Sequence, residues 1–136
     1  MKKLSVLIVE DDVIIALDLR QRLQRWGHEV LEMCDTGQQA MDLARSLAPD
    51  LILMDIRLRG PVTGLEAARQ IQQQNPSHIM FLTANPHLVQ PFIQDNWFKD
   101  CLVISKPASE SEMQDAVQKL CGEGAKAIVG DDPRMP

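Results

Sequence analysis

A chain of 136 residues with 45% hydrophobic and 24% charged side chains has the size and composition of one ordinary globular domain, long enough to bury a core without disulfide or metal staples. Its net charge of -5 opposes the phosphate backbone of nucleic acid, and no Lys/Arg cluster forms a local exception, so direct DNA or RNA binding is not expected. Cys34, Cys101 and Cys121 are odd in number, widely separated and without a Cys-x-x-Cys pair, which points away from a disulfide framework and from a zinc site.

The first predicted element is a strand, Leu4 to Val9. The apolar run is broken by Glu10, Asp11 and Asp12, too early for a signal-peptide core or a membrane span, so a cytoplasmic protein without membrane contact is expected. Asp12 suits the N-cap of a following helix. Ile15, Leu19, Leu23 and Trp26 then recur on one helical face. His28 to Met33 reads as the second strand. Thr36 with Gln39 has the spacing of a capping box, in which two side chains satisfy orphan backbone donors, and opens a helix striped by Ala40, Leu43, Ala44 and Leu47. Leu51 to Asp55 is the third strand, and Thr63 with Glu66 marks the next helix start. His78 to Thr83 and Cys101 to Ser105 complete the strands. Ser109 with Glu112 caps a last helix carrying Met113, Ala116, Val117 and Leu120. From Gly122 onward Gly, Ala, Asp and Pro dominate, and residues 122–136 are expected to be a mobile or loosely docked tail after a domain of residues 1–121.

Nearly unbroken apolar strands suit parallel pairing with both faces covered. Their alternation with helices predicts an α/β fold, an open, doubly wound five-stranded parallel sheet with right-handed crossovers. In such a sheet, ligands bind beyond the carboxyl ends of the strands, where the strand order reverses. That rule selects Glu10 and Asp11 after the first strand, Asp55 at the end of the third, Thr83 at the end of the fourth and Lys106 after the fifth. Two carboxylates ~5 Å apart repel by roughly 3 kcal/mol at an effective dielectric near 20, so three acids on one rim need a cation or must partly protonate. Oxygen ligands without nearby His or Cys favour Mg²⁺. A carboxylate nucleophile can form an acyl phosphate while a metal and a lysine neutralise the transferring group and a hydroxyl bonds one of its oxygens. A carboxylate closing an apolar strand, as Asp55 does, needs a partner, because burying an unpaired charge is costly. His28, His78 and His87 lie away from this rim and are read as structural or surface residues, and Trp26 as the end of a helix stripe. Trp97 and Phe98, near Pro91 and Phe92, fit either core or partner surface.

The run Val-Leu-Ile-Val-Glu-Asp-Asp from Val6, Pro-Asp-Leu-Ile-Leu-Met-Asp-Ile-Arg-Leu from Pro49, Phe-Leu-Thr-Ala from Phe81 and Ser-Lys-Pro from Ser105 resemble, in order and spacing, the signatures of receiver domains of two-component response regulators. The resemblance spans roughly residues 4 to 121. It implies the flavodoxin-like strand order 2-1-3-4-5 with helices on both faces. It also implies phosphoryl transfer to Asp55 from a sensor histidine kinase or a histidine phosphotransfer protein, with Asp11, Asp55 and the backbone carbonyl of Arg57 holding Mg²⁺ directly and Glu10 holding it through water. Thr83 and Lys106 would sense the phosphoryl group, and Lys106-Pro107 would be a cis peptide. The chain would then be a signalling switch acting through protein contacts, catalysing at most its own phosphorylation and dephosphorylation.

Two departures stand out. Receivers commonly carry Tyr or Phe three residues before the lysine, where this chain has Val103. Pro86 and Pro91 fall where the family places its fourth helix, and an interior proline costs about 3 kcal/mol, so a short, displaced or irregular helix is expected there. Val103 leaves room for a receiver-like interaction module that needs no phosphate. A doubly wound protein binding a small phosphorylated ligand is disfavoured, because the acidic loop after the first strand would repel phosphate. The sequence leaves open whether the chain is a stand-alone regulator or part of a longer one.

Overall fold

In the computed structural model, which describes residues 2–98 and 100–122, strands and helices alternate along the whole path. The strands are β1 (Ser5–Val9), β2 (Glu29–Cys34), β3 (Leu51–Asp55), β4 (His78–Thr83) and β5 (Cys101–Ser105). They pair in parallel in the order β2-β1-β3-β4-β5, as expected. Register is continuous except between β1 and β2, where Val6 faces Val30 and Leu7 faces Glu32, so that Leu31 is skipped. The first two strands each begin one residue later than the sequence suggests.

Strict alternation inside each strand sends side chains to opposite faces. Val6, Ile8, Leu51, Leu53, Met80 and Leu82 join one core, with Leu19 and Leu23 of α1 (Val13–Arg25) and Met113 and Val117 of a C-terminal helix at Glu110–Cys121. Leu7, Val9, Ile52, Met54, Ile79 and Phe81 join the other, against α2 (Gly37–Leu47) and α3 (Gly64–Gln74). A buried side chain of this kind contributes about 1.5–3 kcal/mol, which makes the two-faced sheet the main source of stability. Of the predicted stripes, Ile15, Trp26, Leu43 and Leu120 pack at the margins of these cores. Leu47 is instead exposed at the end of α2.

Helix starts follow the sequence signals. The Asp12 carboxylate accepts from the amides of Ile14 and Ile15, Thr36 accepts from Gln39 and Thr63 from Glu66. The full reciprocal box closes at Ser109 and Glu112, while the Thr36 hydroxyl donates to the Gln39 side chain. Between β4 and β5 the fourth helix is reduced to a 3-10 turn at Pro86–Leu88 and the five-residue α4 (Gln90–Gln94). Both prolines sit in the first turns of these pieces, where a missing N–H costs no bond. They therefore divide the segment rather than kink a continuous helix. The helix at Glu110–Cys121 is α5, closed by a bond from the Gly122 amide to the Gln118 carbonyl. Apart from Gly122, the expected tail lies outside the described residues. None of the described helices is long and apolar enough to cross a membrane.

His28 precedes β2 and is buried, with its Nδ1 accepting from the Leu4 amide at 3.0 Å. Burial holds its pKa below the ordinary 6.5. Because the unfolded chain then takes up this proton more readily, the contribution is present above pH 6.5 and is lost as pH falls through the lowered folded value. In His28→Asn the side-chain oxygen can still accept from Leu4 without titrating. Chemical denaturation at a series of pH values is expected to show the native chain losing stability relative to His28→Asn below pH 6.5; a pH-independent difference would contradict this.

Candidate functional site

Parallel pairing with β1 and β3 side by side brings their carboxyl ends together, at the place where the chain winds off in opposite directions. Glu10 follows β1 directly, fixed by a bond from its amide to the Cys34 carbonyl of β2 at 2.9 Å. Asp55 is the last residue of β3, a strand buried at all five positions. Both carboxylates are buried: the Glu10 side chain is 2% exposed and that of Asp55 10%. Asp11 is exposed at the mouth. Each of Glu10, Asp11 and Asp55 offers an oxygen such that the three lie within 4.8 Å of one another. Asp12, next along, is turned to its helix-cap role instead.

Lys106 reaches this cluster from the end of β5. Its Nζ donates to Glu10 Oε1 at 2.7 Å and to Asp55 Oδ2 at 3.4 Å. The other Asp55 oxygen accepts from the Arg57 amide at 3.3 Å, folding the Asp55–Arg57 turn back over the carboxylate. Lys106-Pro107 is cis, as the resemblance implied. Thr83, buried at the end of β4, is bonded to the same loop: its carbonyl accepts from the Lys106 amide at 2.8 Å, and its Oγ1 accepts from the Asn85 amide at 3.0 Å. All five rim residues selected from the sequence thus converge. Arg57 joins them through its backbone. Val103 lies mid-strand in β5, in register with Phe81 and packed against the second core.

Electrostatics at the cluster are set by burial first. Loss of water pushes the Glu10 carboxyl up to about 7, against the pull of its bonds from Lys106 and the Asp12 amide, and the Asp55 charge adds to the rise. For Lys106 burial alone would favour the neutral amine, but its bond to Glu10 and the Asp55 charge outweigh that and raise its pKa. Three carboxylates with one ammonium leave the pocket short of positive charge, the condition under which a divalent cation is held by oxygen ligands.

Two features escaped the reading of the sequence. Gly64 opens α3 against the backbone of Asp55: its amide bonds the Ile56 carbonyl at 2.9 Å, and a Cβ there would overlap the Asp55 carbonyl oxygen. A glycine after a capping threonine carries no such signal by itself. Val13, Ile14 and Leu17 of α1 are exposed to 67%, 76% and 42%, and Val13 lines a surface depression with Glu10 and Asp11. These apolar residues fall off the buried stripe, which is how they could have been found.

Comparison with known proteins agrees with the fold. The family model described as "Response regulator receiver domain" matches residues 6–118. Among curated relatives, "Transcriptional regulatory protein PdtaR" of Mycobacterium tuberculosis is 37% identical over 79 residues, 58% of this chain and 38% of its own length. "Phyllosphere-induced regulator PhyR" of Methylorubrum extorquens is 32% identical over 104 residues, 76% of this chain and 38% of the relative. The chain thus spans well under half the length of these relatives. Among solved structures, the signal receiver domain of a modulated diguanylate cyclase from Desulfovibrio desulfuricans superposes with a TM-score of 0.79 at 28% identity, covering 92% of this chain and 98% of that one. The receiver domain of PhyR from Erythrobacter litoralis gives 0.76 at 26%, covering 88% and 91%.

An acid raised from 4.5 to about 7 contributes stability that is present below pH 4.5 and lost as pH rises through 7. Without divalent cations, Glu10→Gln is therefore expected to be more stable than the native chain at pH 8 and to show a shallower decline between pH 5 and 8. The difference should widen from pH 5 to pH 8 in urea unfolding with a chelator present. Equal or lower stability of Glu10→Gln at pH 8 would show that Lys106 already balances the buried carboxylate.

Proposed function

Because the chain belongs to the response regulator receiver domain family, we propose that it is a phosphorylation-controlled signalling switch in which Asp55 accepts a phosphoryl group from the phosphohistidine of a sensor histidine kinase or histidine phosphotransfer protein. The observation that carries this reading is the setting of Asp55: a carboxylate at the end of a fully buried strand, with Lys106 Nζ 3.4 Å from one oxygen and two further acids within 4.8 Å. A structural role alone gives no reason to gather three carboxylates on one rim, since their repulsion is costly.

Transfer to Asp55 forms a bond between a carboxylate oxygen and phosphorus and breaks the phosphorus–nitrogen bond of the donor histidine. The chain's own part is positioning and charge balance. The Arg57 amide and the Lys106 ammonium orient the two Asp55 oxygens. Lys106, already between Glu10 and Asp55, neutralises charge on the incoming group, and the Thr83 hydroxyl would donate to one of its oxygens. The donor set fits Mg²⁺, with Asp11, Asp55 and the Arg57 carbonyl as direct ligands and Glu10 acting through water. Bound there, Mg²⁺ would supply the positive charge that the three carboxylates and a phosphoryl group jointly require. On the partner side, Val13, Ile14 and Leu17 are exposed on α1, the helix that follows the acidic loop, and would suit an apolar helix presenting the donor histidine. Output passes to a protein partner, in keeping with a net charge of -5 that disfavours nucleic acid and with a cytoplasmic setting.

One observation favours a second reading, a receiver-like module that works without phosphate. Val103 stands where the family's aromatic switch residue is usual, and Lys106 and Thr83 are already engaged in bonds. Chemical phosphorylation separates the two. Intact-mass measurement after incubation with acetyl phosphate or phosphoramidate and Mg²⁺ is expected to show one added phosphoryl group on the native chain and none on Asp55→Asn. Equal labelling of both, or none on the native chain with either donor, would leave the phosphate-independent module as the better reading.

The metal assignment makes its own prediction. Asp11→Ala should weaken Mg²⁺ binding at least tenfold, whereas Asp12→Ala, which removes a helix cap costing about 0.5–2 kcal/mol of stability, should leave it nearly unchanged. Titration of Mg²⁺ followed by NMR decides between them, and similar losses would place the ligand set one residue out of register.

A further inference from the structure

Segment 84–98 leaves Thr83, runs through the 3-10 turn and α4, and returns to the sheet through aromatic contacts. Phe98 packs edge-on against Phe81 of β4 with ring centroids 5.0 Å apart, Trp97 lies 6.3 Å from Phe98, and Phe92 of α4 lies 4.5 Å from Trp97. Val103 packs against the same cluster. Between Phe98 and Phe92 in this chain of rings, the Trp97 ring is covered by the Arg69 guanidinium of α3, 4.0 Å from its centroid.

The two sides of that stack are anchored very differently. α3 begins at Gly64, pressed against the Asp55 carbonyl and bonded to Ile56, so Arg69 rides on a helix fixed to the phosphoacceptor's own backbone. Trp97 rides on a segment whose entry is held by a bond from the Asn85 amide to Thr83 Oγ1, and whose two helical pieces are three and five residues long, without side-chain caps. A Thr83 hydroxyl drawn toward Asp55 would have to give up that bond, at the head of the segment that carries Trp97, whereas Arg69 belongs to α3.

We propose that the Arg69–Trp97 stack is a latch that holds segment 84–98 in its resting arrangement and opens when Asp55 is phosphorylated, doing by cation–π contact what an aromatic at Val103 cannot do in this chain. The proposal rests on the reading of Asp55 as phosphoacceptor. A stack of this kind at a partly exposed site changes a two-state equilibrium about two- to fivefold. By linkage, removing it makes the phosphoryl-bound arrangement easier to reach, so a phosphoryl mimic binds more tightly.

The chain has two tryptophans, so Trp26→Phe leaves Trp97 as the sole reporter. Titration of this variant with beryllofluoride and Mg²⁺, monitored by tryptophan emission and by fluorine NMR of the bound species, is expected to give a saturable change at Trp97 that Asp55→Asn abolishes. In the same background Arg69→Ala should start nearer the saturated emission and bind beryllofluoride two- to fivefold more tightly, with Arg69→Lys between the two. Unchanged or weaker affinity in Arg69→Ala, or constant Trp97 emission while fluorine NMR shows the mimic bound, would overturn the latch and leave the phosphoacceptor reading standing. Absence of Asp55-dependent binding by fluorine NMR would remove both. Arg69 is exposed, and thermal unfolding of each variant beside its parent confirms that the comparison is made between folded chains.

Discussion

The ammonium of Lys106, divided between Glu10 and Asp55, is the interaction on which the rest of the rim depends. Two buried carboxylates at the ends of adjacent strands cannot both remain ionised without a compensating charge, and the only cation among the described residues that reaches them comes from the far end of β5. The fold is what makes this pairing possible. Glu10 and Lys106 are 96 residues apart, and only the parallel order β2-β1-β3-β4-β5 places the carboxyl ends of β1, β3 and β5 around one crevice. The compensation is incomplete, since Glu10 still has its pKa pushed up to about 7. In the proposed reading, a divalent cation would make up that residual deficit of positive charge, and Lys106 would leave Glu10 for the phosphoryl group.

From that arrangement the coupling to the rest of the molecule follows. Lys106 is bonded through its amide to the Thr83 carbonyl, and Thr83 through its hydroxyl to the Asn85 amide, so the charge balance at Asp55 and the entry to segment 84–98 share one short network. On the other side Gly64 locks α3 to the Asp55 backbone. The site thus lies between a helix pressed against its backbone and a segment of short, uncapped helical pieces. In the proposed reading, this difference in anchoring is what turns a local change of charge into a change of surface.

Much of this was legible from residue order. An apolar strand that ends in aspartate, and acids directly after the first strand, imply a shared rim once the strands are parallel, and Glu10, Asp11, Asp55, Thr83 and Lys106 do converge there. Helix starts were legible for the same reason, since a cap is a local interaction. What was not legible depends on contacts between distant segments. That Gly64 touches the Asp55 carbonyl, that Thr83 caps Asn85, and that Arg69 covers Trp97 all require the folded arrangement of α3 and 84–98. The prolines show an intermediate case: Pro86 and Pro91 signalled an interrupted helix, but only the structure shows that each begins a short helical piece instead of breaking one. Leu47 met the periodicity of its stripe yet is exposed, as the last residue of α2 and beyond its buried positions Gly37, Ala40 and Ala44.

In the proposed reading, Lys106 is held on Glu10 only until Asp55 carries a phosphoryl group. A crystal structure of the chain with Mg²⁺ and beryllofluoride tests this most directly. The account predicts beryllium on an Asp55 oxygen, Lys106 Nζ moved from Glu10 to a fluoride, and the metal ligated by Asp11 and Asp55. Beryllofluoride bound at Asp55 with Lys106 still 2.7 Å from Glu10, or bound at another residue altogether, would contradict it.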